Sequence, residues 1–274
     1  MRIRNERAGS DLSFAHALQG RFRNETSKIK MALNPGKGLP QKPLLITLDG
    51  PAGSGKSTVA RLLAERLGLP CLDTGAMYRV VAWVLKEENK EHLKGESLKR
   101  FLEDLDFTIE GSGPGQKVWF RGKDIAEAIR KPEISILASA VSKKEEVREI
   151  LAEKQRAWGR KGGLVAEGRD MGTVVFPQAP YKFFLDAPLE VRARRRYAEL
   201  IQKGEKVTLE EVCREMERRD RQDRERELAP LLQAPDALRV DTASLSAEEV
   251  VDLLYRRILS GGEEGITEEN PNRR

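Results

Sequence analysis

The chain has 274 residues, 39% of them hydrophobic and 34% charged, with a formal net charge of +5. That length carries one large α/β domain or two small ones, and the apolar share is ordinary for a protein with a buried core. No apolar run approaches the roughly 18 residues that cross a bilayer, and the cation excess suits an anionic partner without choosing between nucleotides and nucleic acid.

Residues 1–41 lack sustained periodicity and are rich in Arg, Lys, Asn, Gly and Pro, which predicts a flexible basic extension. Two other readings stand beside it: Met31 as the natural start, or an organelle transit peptide, against which Glu6, Asp11 and Glu25 weigh. A buried strand is predicted at 44–48. It runs into Gly50, Pro51, Ala52, Gly53, Ser54, Gly55, Lys56, Ser57 and Thr58, which fit the spacing G-x-x-x-x-G-K-[ST]. Glycines let the backbone amides turn inward, and with the following helix N-terminus they form an anion cradle. Lys56 then reaches terminal phosphates, and the Ser57 hydroxyl is placed to ligate Mg²⁺. These residues point to a nucleoside triphosphate.

Helical spacing of Val59, Leu62, Leu63 and Leu67 predicts the helix behind that loop, with Gly68 as its stop. A short strand at 69–72 leads to Asp73-Thr-Gly, and the next helix carries Met77, Val80, Val81, Val84 and Leu85 on one side. Arg79 falls near the positive end of that helix, where a cation is disfavoured unless an anion lies beside it; a plain surface arginine is the alternative. Residues 104–158 break the strand–helix alternation. Strand-like runs at 106–109 and 117–120, joined by glycines at 111–115, read as a hairpin, and helical stretches follow through Ile136 and Val147. This piece is expected to be an insertion.

A third strand at 163–166 precedes Glu167-Gly-Arg-Asp-Met-Gly-Thr173. Arg169 there can fork onto a phosphate, and Asp170 can accept from a hydroxyl or amino group; an Arg–Asp pair that locks the loop is the other reading. After a strand at 181–185 comes a helix with the stripe Leu189, Ala193, Tyr197, Leu200 and Ile201, whose arginines 192, 194, 195 and 196 are expected mostly to face solvent or a nucleotide. Residues 204–230 look too charged for core. They open on a Thr208/Glu211 capping box and end in an arginine-rich run, 218–226, which reads either as a mobile lid or as an exposed helix laced with ion pairs. A strand at 237–240 and a helix capped by Ser246 and Glu249, burying Val250, Val251, Leu254 and Ile258, complete the fold before a fraying tail at 260–274. Alternating strands and helices predict an α/β, doubly wound parallel sheet of the P-loop type, with ligands at the C-terminal strand ends. Cys71 and Cys213 have no metal-ligand spacing and read as reduced thiols.

Taken together, the phosphate loop, Asp73-Thr-Gly-Ala-Met-Tyr-Arg79, Gly168-Arg-Asp-Met-Gly-Thr-Val-Val-Phe-Pro177 and the segment from Arg218 to Leu231 resemble the bacterial cytidylate kinase family of P-loop nucleoside monophosphate kinases, over about 44–256. The resemblance implies a kinase domain at 42–259 with a monophosphate-binding insertion at 104–158 and a lid at 204–230. It implies transfer of the γ-phosphoryl group of ATP to CMP, and to dCMP, with Mg²⁺ held by Ser57 partly through water. By similarity Lys56, Arg169, Arg219 and Arg226 serve catalysis. Arg79, Arg169 and Arg226 would hold the acceptor phosphate, Ser139, Arg148 and Asp170 read cytosine, and Arg219 with Asp223 hold the ribose. Thr74 and Tyr78 belong to the same acceptor set, Thr74 standing where the family commonly has Ser. A cytoplasmic monomer that binds neither membrane nor specific nucleic acid is the accompanying expectation.

Other acceptors for the same loop are UMP, AMP, shikimate or a sugar acid. A GTPase switch should carry Asn-Lys-x-Asp, but Asn89-Lys90 continues Glu-His. A nucleic-acid binder should interleave its basic residues with aromatics, and aromatics are only 5% here.

Overall fold

The computed structural model describes residues 44–261 apart from Ser112 and Pro114. The expected extension at 1–41 and nearly all of the expected tail lie outside the described residues. Five strands form a parallel sheet: β1 (Leu45–Asp49), β2 (Cys71–Asp73), β6 (Leu164–Gly168), β7 (Tyr181–Asp186) and β8 (Leu238–Asp241), in the order β2-β6-β1-β7-β8. Between β2 and β6 a separate antiparallel sheet forms from β3 (Phe107–Glu110), β4 (Lys117–Phe120) and β5 (Lys123–Asp124). The hairpin was legible; the two-residue β5 was not.

Alternate residues of the parallel strands feed two cores, one on each face. Ile46, Leu48, Val165, Phe183 and Val240 pack under α1 (Lys56–Leu67) and α8 (Ala247–Leu259). On the other face Leu45, Leu72, Leu164 and Ala166 meet α2 (Thr74–Glu87). That second core continues without a break into Val118, Phe120, Ile125 and Ile129. Three further helices surround it: α3 (Gly95–Glu103), α4 (Pro132–Val141) and α5 (Glu145–Gly159). Helices on both faces of a parallel sheet leave the C-terminal strand edge open for ligands.

Local signals in the sequence end these helices where expected. Gly68 adopts the left-handed conformation, φ 62°, and its N–H bonds back to α1. Both capping boxes form, Thr208 with Glu211 and Ser246 with Glu249. Two expectations are corrected. The charged segment does contribute core: α7 (Leu209–Glu225) buries Val212 and Met216 against Ala193 of α6 (Leu189–Gln202). The α6 arginines do not mostly face outward either. Arg192 is buried and Arg195 donates to the Thr242 hydroxyl at 3.2 Å, while Arg194 is exposed and Arg196 pairs with Glu199 on the surface.

Candidate active site

The phosphate loop leaves β1 in the middle of the sheet, flanked by β6 and β7. Gly50 has φ 154°, and a Cβ there would lie 2.1 Å from the Leu185 carbonyl oxygen, so no other residue fits. Lys56 opens α1 and folds back to donate to the Pro51 carbonyl at 3.1 Å. Burial, helped by the nearby Arg169 charge, pushes its pKa down to about 7. Ser57 donates to Glu167 Oε1 at 2.8 Å. Burial, with Asp73 close by, holds the Glu167 carboxyl above its usual range. Thr58 is exposed on the first turn of α1.

Register across the sheet explains this grouping. Leu48 of β1 and Asp73 of β2 both sit opposite Glu167 of β6, so the three strands end together. Asp73 caps α2, accepting from Ala76 N–H at 2.9 Å, and its other oxygen meets Arg79 at 3.0 Å. Asp73 is thus the anion that the helix-dipole argument demanded beside Arg79. Thr74 donates to the Glu167 carbonyl at 2.7 Å.

Beyond β6 the chain turns sharply. Asp49, 3% exposed, accepts from the N–H groups of Met171 (2.9 Å) and Gly172 (2.7 Å), which pins the loop bearing Arg169 and Asp170 to the end of β1. Asp49→Ala would orphan two buried donors and is expected to cost about 2–4 kcal/mol, readable as a lower denaturant midpoint with unchanged slope.

Arg169 and Asp170 do not pair with each other. Arg169 bonds Asp223 of α7 at 2.9 Å. Burial works against the Arg169 charge, but the Asp223 carboxylate overrides it and the net direction is upward. Burial likewise opposes the Asp223 charge, yet Arg169 and Arg219 hold that carboxyl below its usual range. Asp170 takes Arg148 on one oxygen, and Arg226 approaches the other at 3.8 Å. Burial pushes Asp170 up against the pull of Arg148. Tyr78 lies beneath the Arg148 guanidinium, 5.9 Å from ring centre, its hydroxyl pushed up to about 12 by burial and by Asp170.

One cleft is lined by Lys56, Ser57, Thr74, Tyr78, Arg79, Ser139, Arg169, Asp170, Arg219, Asp223 and Arg226. Every expected acceptor residue except Arg148 is on that wall; Arg148 stands behind it and reaches the cleft through Asp170. Arg219 makes no hydrogen bond or ion pair among the described residues, and burial, with Arg169 adding, pushes it down to about 10. Buried nitrogens on Arg79 (Nε) and Arg226 (Nη2) lack hydrogen-bond partners. A guanidinium group with unused donors can fork onto a phosphate.

The cytidylate kinase family model matches residues 46–260. A cytidylate kinase of Carboxydothermus hydrogenoformans is 50% identical over 213 residues, 78% of this chain and 96% of that protein. Those of Pseudomonas syringae and Bacillus subtilis are 46% and 44% identical, over 79% and 80% of this chain and 96% and 97% of theirs. The chain belongs to the cytidylate kinase family. Membership accounts for a phosphate loop that shares its cleft with a second set of arginines.

Glu167, Asp73 and Asp49 had no role assigned from the sequence. Each is the acidic residue that closes or follows an apolar strand at the ligand-bearing edge, and that position was the available signal.

Proposed function

We infer that this chain transfers the γ-phosphoryl group of ATP to CMP, giving CDP and ADP, and that dCMP is also an acceptor. The observation that carries the acceptor half is a set of arginines lining one cleft, with Arg219 making no hydrogen bond or ion pair among the described residues and with nitrogens of Arg79 and Arg226 lacking hydrogen-bond partners. Arg79, Arg169, Arg219 and Arg226 face a cleft into which Asp170 presents a base-reading oxygen. The acceptor's phosphate oxygen is itself the nucleophile, so the protein supplies positioning and charge stabilisation rather than a covalent catalyst. Lys56 and the arginines do this inside a site that α7 helps to seal from water. We assign α7 and its flanks, 204–230, as the lid and 104–158 as the acceptor-binding insertion.

Mg²⁺ fits the donors present: the Ser57 hydroxyl and the adjoining Glu167 carboxylate are hard oxygen groups, and a sparse protein set suits an ion that keeps its waters. When bound it would be held by Ser57, with Glu167 acting through water, and would neutralise charge on the donor phosphates. Cys71 and Cys213 are not joined in a disulfide, which supports a reducing, cytoplasmic setting. Among the described residues no helix is long and apolar enough to cross a membrane. Both halves of the cleft come from one chain, which supports a monomer.

Release of ADP from ATP and Mg²⁺ with a panel of acceptors tests the reading. CMP and dCMP should be turned over at least tenfold faster than AMP or shikimate; equal rates on shikimate would overturn it.

Lys56 gives a pH prediction whose sign follows from its environment. Burial pushes its pKa down to about 7, and triphosphate charge raises it. Binding of a non-hydrolysable ATP analogue at pH 8 should therefore take up protons, seen as a calorimetric enthalpy that varies with buffer ionisation heat. Proton release would refute the assignment.

A further inference from the structure

Two buried charged residues have no part in the chemistry above. Arg192, on the first turn of α6, is 3% exposed, and Asp220, midway along α7, is 4% exposed. Arg192 Nε donates to the Ala187 carbonyl at 2.7 Å, in the connection between β7 and α6. Its Nη1 donates to the Ala52 carbonyl of the phosphate loop at 3.0 Å and meets Asp220 Oδ2 at 2.6 Å. One planar guanidinium thus joins three elements, a task for which a lysine ammonium lacks the fixed fork. Packing closes the same junction: a Cβ on Gly53 would lie 2.9 Å from Met216 Cε of α7 and 3.1 Å from Arg192 Cβ. The phosphate loop therefore touches both helices directly.

On α7 three neighbours of Asp220 face the acceptor side, while Arg221 is exposed and lines a separate cleft with Asp186 and Arg192. Arg219 precedes it and lines the cleft. Gln222 accepts from the Ser139 hydroxyl at 3.4 Å, and Asp223 holds Arg169. A single turn of helix is tied to the donor loop through Asp220 and to the acceptor site through its flanking residues.

We propose that Arg192 and Asp220 are a positioning latch that couples the phosphate loop to the lid helix, so that a filled donor site orders α7 and sets Arg219 and Asp223 over the acceptor. This rests on the reading of the chain as an ATP-dependent kinase and does not depend on CMP being the acceptor. Arg192→Ala would strand a buried carboxylate and endanger the fold. Asp220→Asn keeps the shape and leaves Arg192 its two carbonyl acceptors. Arg192→Lys keeps the charge pair and loses the carbonyl fork.

Amide hydrogen exchange across Leu209–Glu225, with and without a non-hydrolysable ATP analogue, reads the coupling; steady-state rates with CMP read its consequence. In the wild-type chain the analogue alone should slow exchange in α7 at least fivefold. Asp220→Asn should abolish that response and lower kcat about five- to tenfold, with analogue affinity unchanged within twofold and Tm shifted by only a few degrees. Arg192→Lys should uncouple α7 likewise, and the double variant should be no worse than either single one, because both break the same link. A normal α7 response in Asp220→Asn, unchanged kcat, or additive losses in the double variant would overturn the latch. An analogue that slows exchange in the phosphate loop but not in wild-type α7 would overturn it too. Failure of the analogue to bind the wild-type chain at all would overturn the kinase reading, and the latch with it.

Discussion

Replacing Lys56 by Met is expected to lower kcat by roughly 100- to 1000-fold, the loss typical when one preorganised stabiliser of transition-state charge is removed. The stability of the fold should not suffer. Lys56 is 5% exposed, and its charge is disfavoured by burial, with its ammonium held by one carbonyl. Its pKa is lower in the folded state than in the unfolded chain, so the unfolded state binds more protons between about pH 7 and the ordinary lysine range, and burying this group costs stability at neutral pH. Methionine fills the same stem volume without that cost. The variant should therefore melt at or above the wild-type temperature at pH 7 and lose the proton uptake that accompanies analogue binding. Near-normal turnover would refute the role of Lys56; a large fall in melting temperature would mean that the residue is structural instead.

What the sequence made legible is what short-range chemistry encodes. The phosphate loop, the Gly68 stop, the two capping boxes and the apolar side of α2 each depend on residues within a few positions of one another. Residues tied together by tertiary contact were harder. Helix α3 turns Leu98, Phe101 and Leu102 to the core at helical spacing, but it is only nine residues long and starts at Gly95 with no side-chain cap, so no boundary signal marks it out. Arg192 sits in a run of arginines that reads as a solvated face. Its burial depends on Asp220, which arrives only when α7 folds back along α6. Asp49 is similar: its partners are backbone amides of Met171 and Gly172, which no side-chain pattern announces. Arg148 was grouped with the cleft from family resemblance, whereas the fold places it behind Asp170, as the support of the residue that lines the wall. Carboxylates at strand ends and long-range ion pairs are thus where linear reading loses the site, because their meaning lies in sheet register and helix packing.

Asp170→Asn should produce the largest change in acceptor choice. An ionised carboxylate only accepts hydrogen bonds. Cytosine presents an amino donor where uracil presents a carbonyl oxygen, so a fixed carboxylate attracts one and repels the other. Arg148 and Arg226 keep Asp170 oriented and oppose the burial that pushes its pKa up. Asparagine can turn either its oxygen or its NH₂ toward the base and so welcomes both. The ratio of kcat/KM for CMP over UMP is expected to fall roughly 10- to 100-fold, with kcat/KM for CMP itself down by about 100-fold. Part of the second loss has another origin. Without the carboxylate, two buried guanidinium groups face each other with less neutralising charge, which costs stability as well as activity. The ratio is therefore the informative measurement, since a general loosening of the site lowers both substrates together. ATP-analogue affinity should stay within twofold of the wild-type value, because among the described residues no hydrogen bond or ion pair joins the donor loop to Arg148 or Arg226. An unchanged CMP-to-UMP ratio would remove Asp170 from base recognition and leave it as the anchor of Arg148 and Arg226 alone.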